Sequence, residues 1–165
     1  RPVRAVRSRG MRRVLVVVLL AGLLVPGTAG AQMPPPVQVV FTWCPWAQTR
    51  PGCTSPGTHV VYWGDGDPFT LLHEMGHQLD YWVMTDADRN GFRAIMHDKR
   101  PWRASGGDSP HERFAEAYAW CALYPRALPD GDGPAYSFRP KPKTYRKVCA
   151  LVRSIIRRLP VRRSG

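Results

Sequence analysis

Five consecutive residues, His73-Glu74-Met75-Gly76-His77, constrain this chain more than any other stretch. Histidines four positions apart fall on one face of an α-helix, which turns once every 3.6 residues. Both imidazoles then reach a single metal ion. Glu74, beside the first of them, is placed to address a water rather than the metal itself. The helix is expected to start at Pro68, a residue suited to a first turn. Phe69, Leu71, Leu72, Met75, Leu79 and Trp82 give it a broad apolar face. Two histidines do not complete a site, so a third ligand must come from elsewhere.

Around this helix the pattern reads as a small α+β domain. Val37 to Trp43 and Thr58 to Trp63 are runs of β-branched and aromatic residues that predict two strands. The second of them is a candidate edge strand on which a peptide could pair. Residues 44–57, with several Pro and Gly and two Cys, read as a loop closed by a disulfide. A second helix is expected over Asp86 to Asp98, with Phe92, Ile95 and Met96 inward. A third begins at Pro110 with Ser109 as its cap and runs to about Leu123. Pro125 to Lys143 reads as a surface excursion, and a fourth helix follows from about Thr144 to Leu159. It carries Val148, Leu151, Val152, Ile155, Ile156 and Leu159 on one side.

The amino-terminal residues 1–31 read as an over-extended start followed by a secretory signal. Met11-Arg12-Arg13 leads into the apolar run Val14 to Val25, and Ala29-Gly30-Ala31 supplies the small residues of a cleavage site near Ala31. Residues 32–165 would then form the working domain, secreted and extracellular, entered through the extended Met33-Pro34-Pro35-Pro36. Losing the leader lowers the formal charge from +12 to +6. What remains is uneven: residues 139–165 hold ten Lys or Arg and no acid, whereas residues 32–138 hold eight basic and twelve acidic residues. The high pI is thus a property of the tail, and nucleic acid is not an expected partner. A basic solvent face on a packed helix is the plain reading of that tail, and weak attachment to an anionic cell surface is the sharper one. Cys44, Cys53, Cys121 and Cys149 form an even set, which in an exported chain favours disulfides. Of three pairings, Cys44–Cys53 closes a short loop and Cys121–Cys149 ties the last helix to the body. A Cys-based zinc site is disfavoured because no Cys-x-x-Cys pair occurs.

Zinc hydrolases keep three protein ligands and an open position. On the predicted third helix, Glu112 and Glu116 lie four apart on one face within His111-Glu112-Arg113-Phe114-Ala115-Glu116-Ala117-Tyr118. One of these carboxylates can bind the metal, and the other can accept a hydrogen bond from a ligand histidine and fix its tautomer. His111, turned about 100° from Glu112 on a helix, is read as a non-ligand. His59 and His97 are read as surface residues.

Over residues 58–123 the chain resembles the gluzincin metallopeptidases, the group around anthrax lethal factor and small related bacterial peptidases. The matching residues are His73, Glu74, Gly76, His77 and Asp80, then Glu112, Phe114, Ala115, Glu116, Ala117 and Tyr118. The resemblance implies a zincin-like domain whose short sheet packs on the motif helix. It implies one zinc ion on His73, His77 and Glu112. Glu116 would stand behind the ligands, oriented towards His73, with Asp80 in a supporting, more structural place. That group carries a tyrosine shortly before its third ligand, which stabilises the tetrahedral intermediate, whereas Arg103 to Pro110 contains none. Arg103, His111 and Tyr62 are the candidate substitutes. The expected activity is hydrolysis of peptide bonds in a peptide or protein substrate by a monomer, with Glu74 as general base. The alternatives are a zinc hydrolase of cell-wall peptide amides and a non-catalytic module with a structural zinc.

Overall fold

The computed structural model describes residues 36–105, 108–129 and 138–159. The expected leader and its cleavage point lie outside the described residues. Three short strands and four helices follow one another: β1 (Gln38–Val40), β2 (Gly52–Thr54), β3 (Val60–Trp63), α1 (Pro68–Trp82), α2 (Asp86–Met96), α3 (Pro110–Leu123) and α4 (Pro142–Ile156). The architecture is α+β, with the sheet on one side of α1 and the helices on the other.

Each helix before the last begins where a side chain can satisfy its free N–H groups. Asp67 accepts from the backbone N–H of Phe69 and of Thr70 ahead of α1. Thr85 and Asp88 form a reciprocal capping box at α2, and Ser109 accepts from Glu112 N–H at α3. His97 closes α2 in the left-handed conformation, at φ 53°.

The sheet corrects two expectations. Its order is β1-β3-β2, with β1 parallel and β2 antiparallel to β3. Val60–Trp63 is therefore the central strand and offers no free edge. The outer strand on the α1 side is Gly52–Thr54, within the segment expected to be loop. No apolar run announces β2. It is held by non-local partners: Cys53 is bridged to Cys44, Cys53 pairs with Tyr62, and Gln78 of α1 donates to Thr54 Oγ1 and to the Thr58 carbonyl at 3.0 Å. The second disulfide joins Cys121 on α3 to Cys149 on α4. Both pairings are those expected.

The principal core lies between α2, α3 and α4. Phe92 and Phe114 meet edge to face at 5.4 Å, surrounded by Phe138, Tyr145, Val148, Val152 and Ile155. Phe138 belongs to the stretch read as a surface excursion, yet it is fully buried. The chain returns to the core there and cannot be surface throughout. Of the expected inward face of α4, Ile156 is exposed instead. The apolar face assigned to α1 is likewise incomplete. Leu79 is buried but Trp82 is 40% exposed, while His73, Glu74, His77, Gln78 and Asp80 are all buried. The reason is the position of α1 between β2 and α3. Gly76 lets α3 approach so closely that an added Cβ would stand 2.8 Å from Ala115 Cα and 3.0 Å from Ala115 O.

Candidate metal centre

The crossing of α1 and α3 brings three donor atoms together. His73 Nε2 and His77 Nε2 are 3.1 Å apart, and Glu112 Oε2 lies 3.3 Å from the first and 3.2 Å from the second. Ligands bound tetrahedrally at about 2.0–2.1 Å from zinc would be separated by roughly 3.3 Å. The triangle therefore already has the dimensions of one face of such a polyhedron. Its chemistry fits as well: two imidazole nitrogens and one carboxylate oxygen is a set that zinc accepts. Burial pushes the Glu112 carboxyl upward, but hydrogen bonds from His73 and His77 outweigh it and hold the group well below the usual carboxylate range. Glu112 thus stays ionised, as a ligand must.

Glu74 is buried on α1 beside this triangle but outside it. It faces β2: a Cβ added at Gly52 would stand 3.3 Å from Glu74 Oε1. Gly52 is part of the same fit, because an added Cβ would stand 2.5 Å from Thr70 Cγ2 and 3.1 Å from Glu74 Cγ. Burial raises the Glu74 carboxyl to about 7, with the charges of His77 and Arg50 opposing and that of Glu112 assisting. A cleft of about 430 Å³ opens over the four groups, walled by the Trp46–Thr54 segment on one side and by Tyr81 and His111 on the other.

Behind His77 stands His111, whose Nε2 is 3.0 Å from His77 Nδ1 and 3.4 Å from Asp80 Oδ2. With a metal ion on Nε2 of His77, its proton would lie on Nδ1, where it would donate to His111 Nε2. Burial, reinforced by His77, lowers His111 to about 4 despite the opposing charges of Asp80 and Glu112, so it is neutral and able to accept. Asp80 is fully buried and anchored by Arg89 Nε at 2.7 Å and by Trp102 Nε1 at 3.1 Å. Glu116, also fully buried, accepts from the Phe138 backbone N–H at 3.3 Å. It thereby joins the returning chain to α3.

Of the three residues considered from the sequence as stabilisers of an intermediate, Tyr62 packs edge to face with Trp46 at 5.5 Å and is not among the residues lining the cleft. Arg103 lies 5.2 Å over the Tyr81 ring and 3.7 Å from Asp80. His111 is engaged as above. His97 is exposed, whereas His59 is half-buried and packs tilted against Trp82, ring centroids 4.0 Å apart. Sequence reasoning overlooked Tyr81, although its position four residues after His77 places it on the ligand face. It also missed the approach of Gly52 to Glu74, for which the sequence carries no sign.

No family model, curated protein or solved structure matches this chain.

Proposed function

We propose that this chain is a zinc-dependent peptidase of gluzincin type with a zincin-like domain, acting outside the cell. The observation that carries this reading is the donor triangle of His73, His77 and Glu112 with Glu74 next to it. Three ligands beneath an open cleft are the arrangement of a catalytic rather than a structural zinc site, which is normally closed by a fourth protein ligand. A zinc ion held there supplies the Lewis acidity that makes water a nucleophile near neutral pH. Glu74, buried beside the triangle and lining the same cleft, is placed to take a proton from the attacking water and deliver it to the departing amine. β2 and Gly52 fix the direction of that carboxylate. His111 would hold the His77 ring so that Nε2 faces inward. The two disulfides accord with an extracellular setting.

The test is metal analysis joined to hydrolysis of a generic protein such as casein. Wild type is expected to hold one zinc per chain and to lose activity on chelation. His73→Ala and Glu112→Ala are expected to lose the metal. Glu74→Gln is expected to keep zinc and lose hydrolysis. Full zinc affinity in Glu112→Ala would refute the ligand assignment, and an active Glu74→Gln would refute the base.

A further inference from the structure

Hydrolysis of an amide places negative charge on the carbonyl oxygen as water attacks. A donor set in advance where that charge appears is among the largest contributions to rate. The polar groups of the cleft wall differ in how far they are already committed. Thr70 Oγ1 donates to Asp65 at 2.9 Å, and Thr54 Oγ1 donates to the Val60 carbonyl at 2.7 Å. His111 Nε2 faces His77 and Asp80. Arg50 stands near Glu74, on the base side of the site. Among the described residues, the Tyr81 hydroxyl has no hydrogen-bond partner, and its side chain lines the cleft.

The helix explains why it is well placed. Glu74 and Tyr81 are seven residues apart, about 10 Å along the axis and almost on one line of the helix surface. His77 lies between them. Side chains on a helix lean towards its amino terminus, so the Tyr81 ring reaches back over the ligand turn. It lies nearly parallel to the His77 ring, 15° apart with centroids at 6.2 Å, and 5.6 Å from His111. The Arg103 guanidinium covers the ring from outside, 5.2 Å from its centroid. Ring position is thus determined on three sides, and only the hydroxyl is left for a ligand. A tyrosine hydroxyl keeps its proton at neutral pH and so can donate.

From this placement we infer that Tyr81 is a further catalytic residue, its hydroxyl donating a hydrogen bond to the substrate carbonyl oxygen as that oxygen becomes negative. This rests on the peptidase reading above. As the water oxygen bonds to the carbonyl carbon, the C=O π pair moves onto oxygen, and Tyr81 stabilises it without giving up its proton. Glu74, at the other end of the ligand turn, takes the proton from water. When the C–N bond breaks, the oxygen pair returns to re-form C=O, and Glu74 delivers its proton to the amine.

Tyr81→Phe keeps the ring, its stacking and its contact with Arg103, and removes only the hydroxyl. Three measurements on the zinc-loaded protein decide the matter. Zinc affinity by chelator competition is expected to equal wild type. Affinity for a phosphinic dipeptide, whose tetrahedral oxygens imitate the developing charge, is expected to fall about tenfold or more. On a fluorogenic peptide that wild type cleaves, kcat is expected to fall about a hundredfold with KM nearly unchanged. Unchanged phosphinic affinity and kcat would overturn the inference, as would a loss confined to KM. A wild type that binds no zinc would overturn the peptidase reading itself, and this inference with it.

Discussion

Replacing Gly76 by Ala tests whether the close crossing of α1 and α3 sets the metal site. Helix propensity alone favours the change by about 1 kcal/mol, since Ala is the better helix former. Packing opposes it. The new Cβ would meet Ala115 Cα at 2.8 Å and Ala115 O at 3.0 Å, with Tyr118 Cβ at 3.1 Å. Carbon atoms prefer about 3.5–4.0 Å, so the helices must separate by roughly 1 Å. The two nearest contacts are backbone atoms, and no rotamer change can relieve them. Overpacking of this kind costs about 1–3 kcal/mol, a range that equals or exceeds the propensity gain. The larger consequence concerns the ligands, because His73 and His77 ride on α1 and Glu112 on α3. Metal–ligand distances tolerate only about 0.2 Å. A shift of that size must be recovered by bending the Glu112 side chain away from its preferred geometry. Zinc affinity is therefore expected to fall about tenfold or more, a penalty of roughly 1.4 kcal/mol. Unfolding by urea in chelator should show no gain in stability over wild type. Gly91→Ala in α2 is the matched control, because nothing lies within 4 Å of its added Cβ. That variant should gain up to about 1 kcal/mol with zinc binding unaltered. If Gly76→Ala were stabilised as Gly91→Ala is, and bound zinc like wild type, the close crossing would not be what sets the ligand geometry.

Two further perturbations separate the site from its scaffold. His111→Ala removes the acceptor for His77 Nδ1–H, and loss of such a supporting partner is expected to weaken zinc binding about 10–100-fold. His111→Gln, which restores an acceptor, should recover part of it, and chelator competition that finds His111→Ala equal to wild type would dismiss the role. Asp98 accepts from Arg100 and, across to α3, from Arg113 at 2.9 Å; chiefly the Arg100 hydrogen bonds hold it at about 2, below its ordinary 3.8. A carboxyl depressed on folding stabilises the protein above its unfolded value, and that contribution fades as pH falls from about 4 to about 2. Asp98→Asn should remove at most about 2 kcal/mol at neutral pH and flatten the acid limb of a pH–stability curve; identical acid limbs would contradict it.

The helices were legible because their signals are local. Pro68 and the pair Ser109-Pro110 mark two helix starts in the sequence, and α1 and α3 begin there. β2 was illegible for the opposite reason: Gly52-Cys53-Thr54 is a strand only because Cys44, Tyr62 and Gln78 hold it there. The fully buried Phe138 shows the same limit, since a Pro- and Gly-rich stretch gives no hint of where the chain rejoins the core.

The site divides along the same line. Spacing within α1 places His73 and His77 together, and spacing within α3 places Glu112 and Glu116 together. Neither says how the two helices meet. Reading α1 by its large apolar residues pointed to the wrong contact, with Trp82 turned outward and the small Gly76 at the closest approach. Gly76 lies between the two histidines, and Ala115 lies between the two glutamates. Helix axes usually pack 8–10 Å apart, at a distance set by the side chains at the crossing. Small residues at that point bring the flanking ligands on both helices within reach of one ion. His111, one position before Glu112, is carried against the back of His77 by the same crossing, which no reading of either helix alone could supply. A small residue between the two histidines of α1, set against a small residue one turn after Glu112 on α3, is thus the physical sign, present in the sequence, that these two helices complete each other.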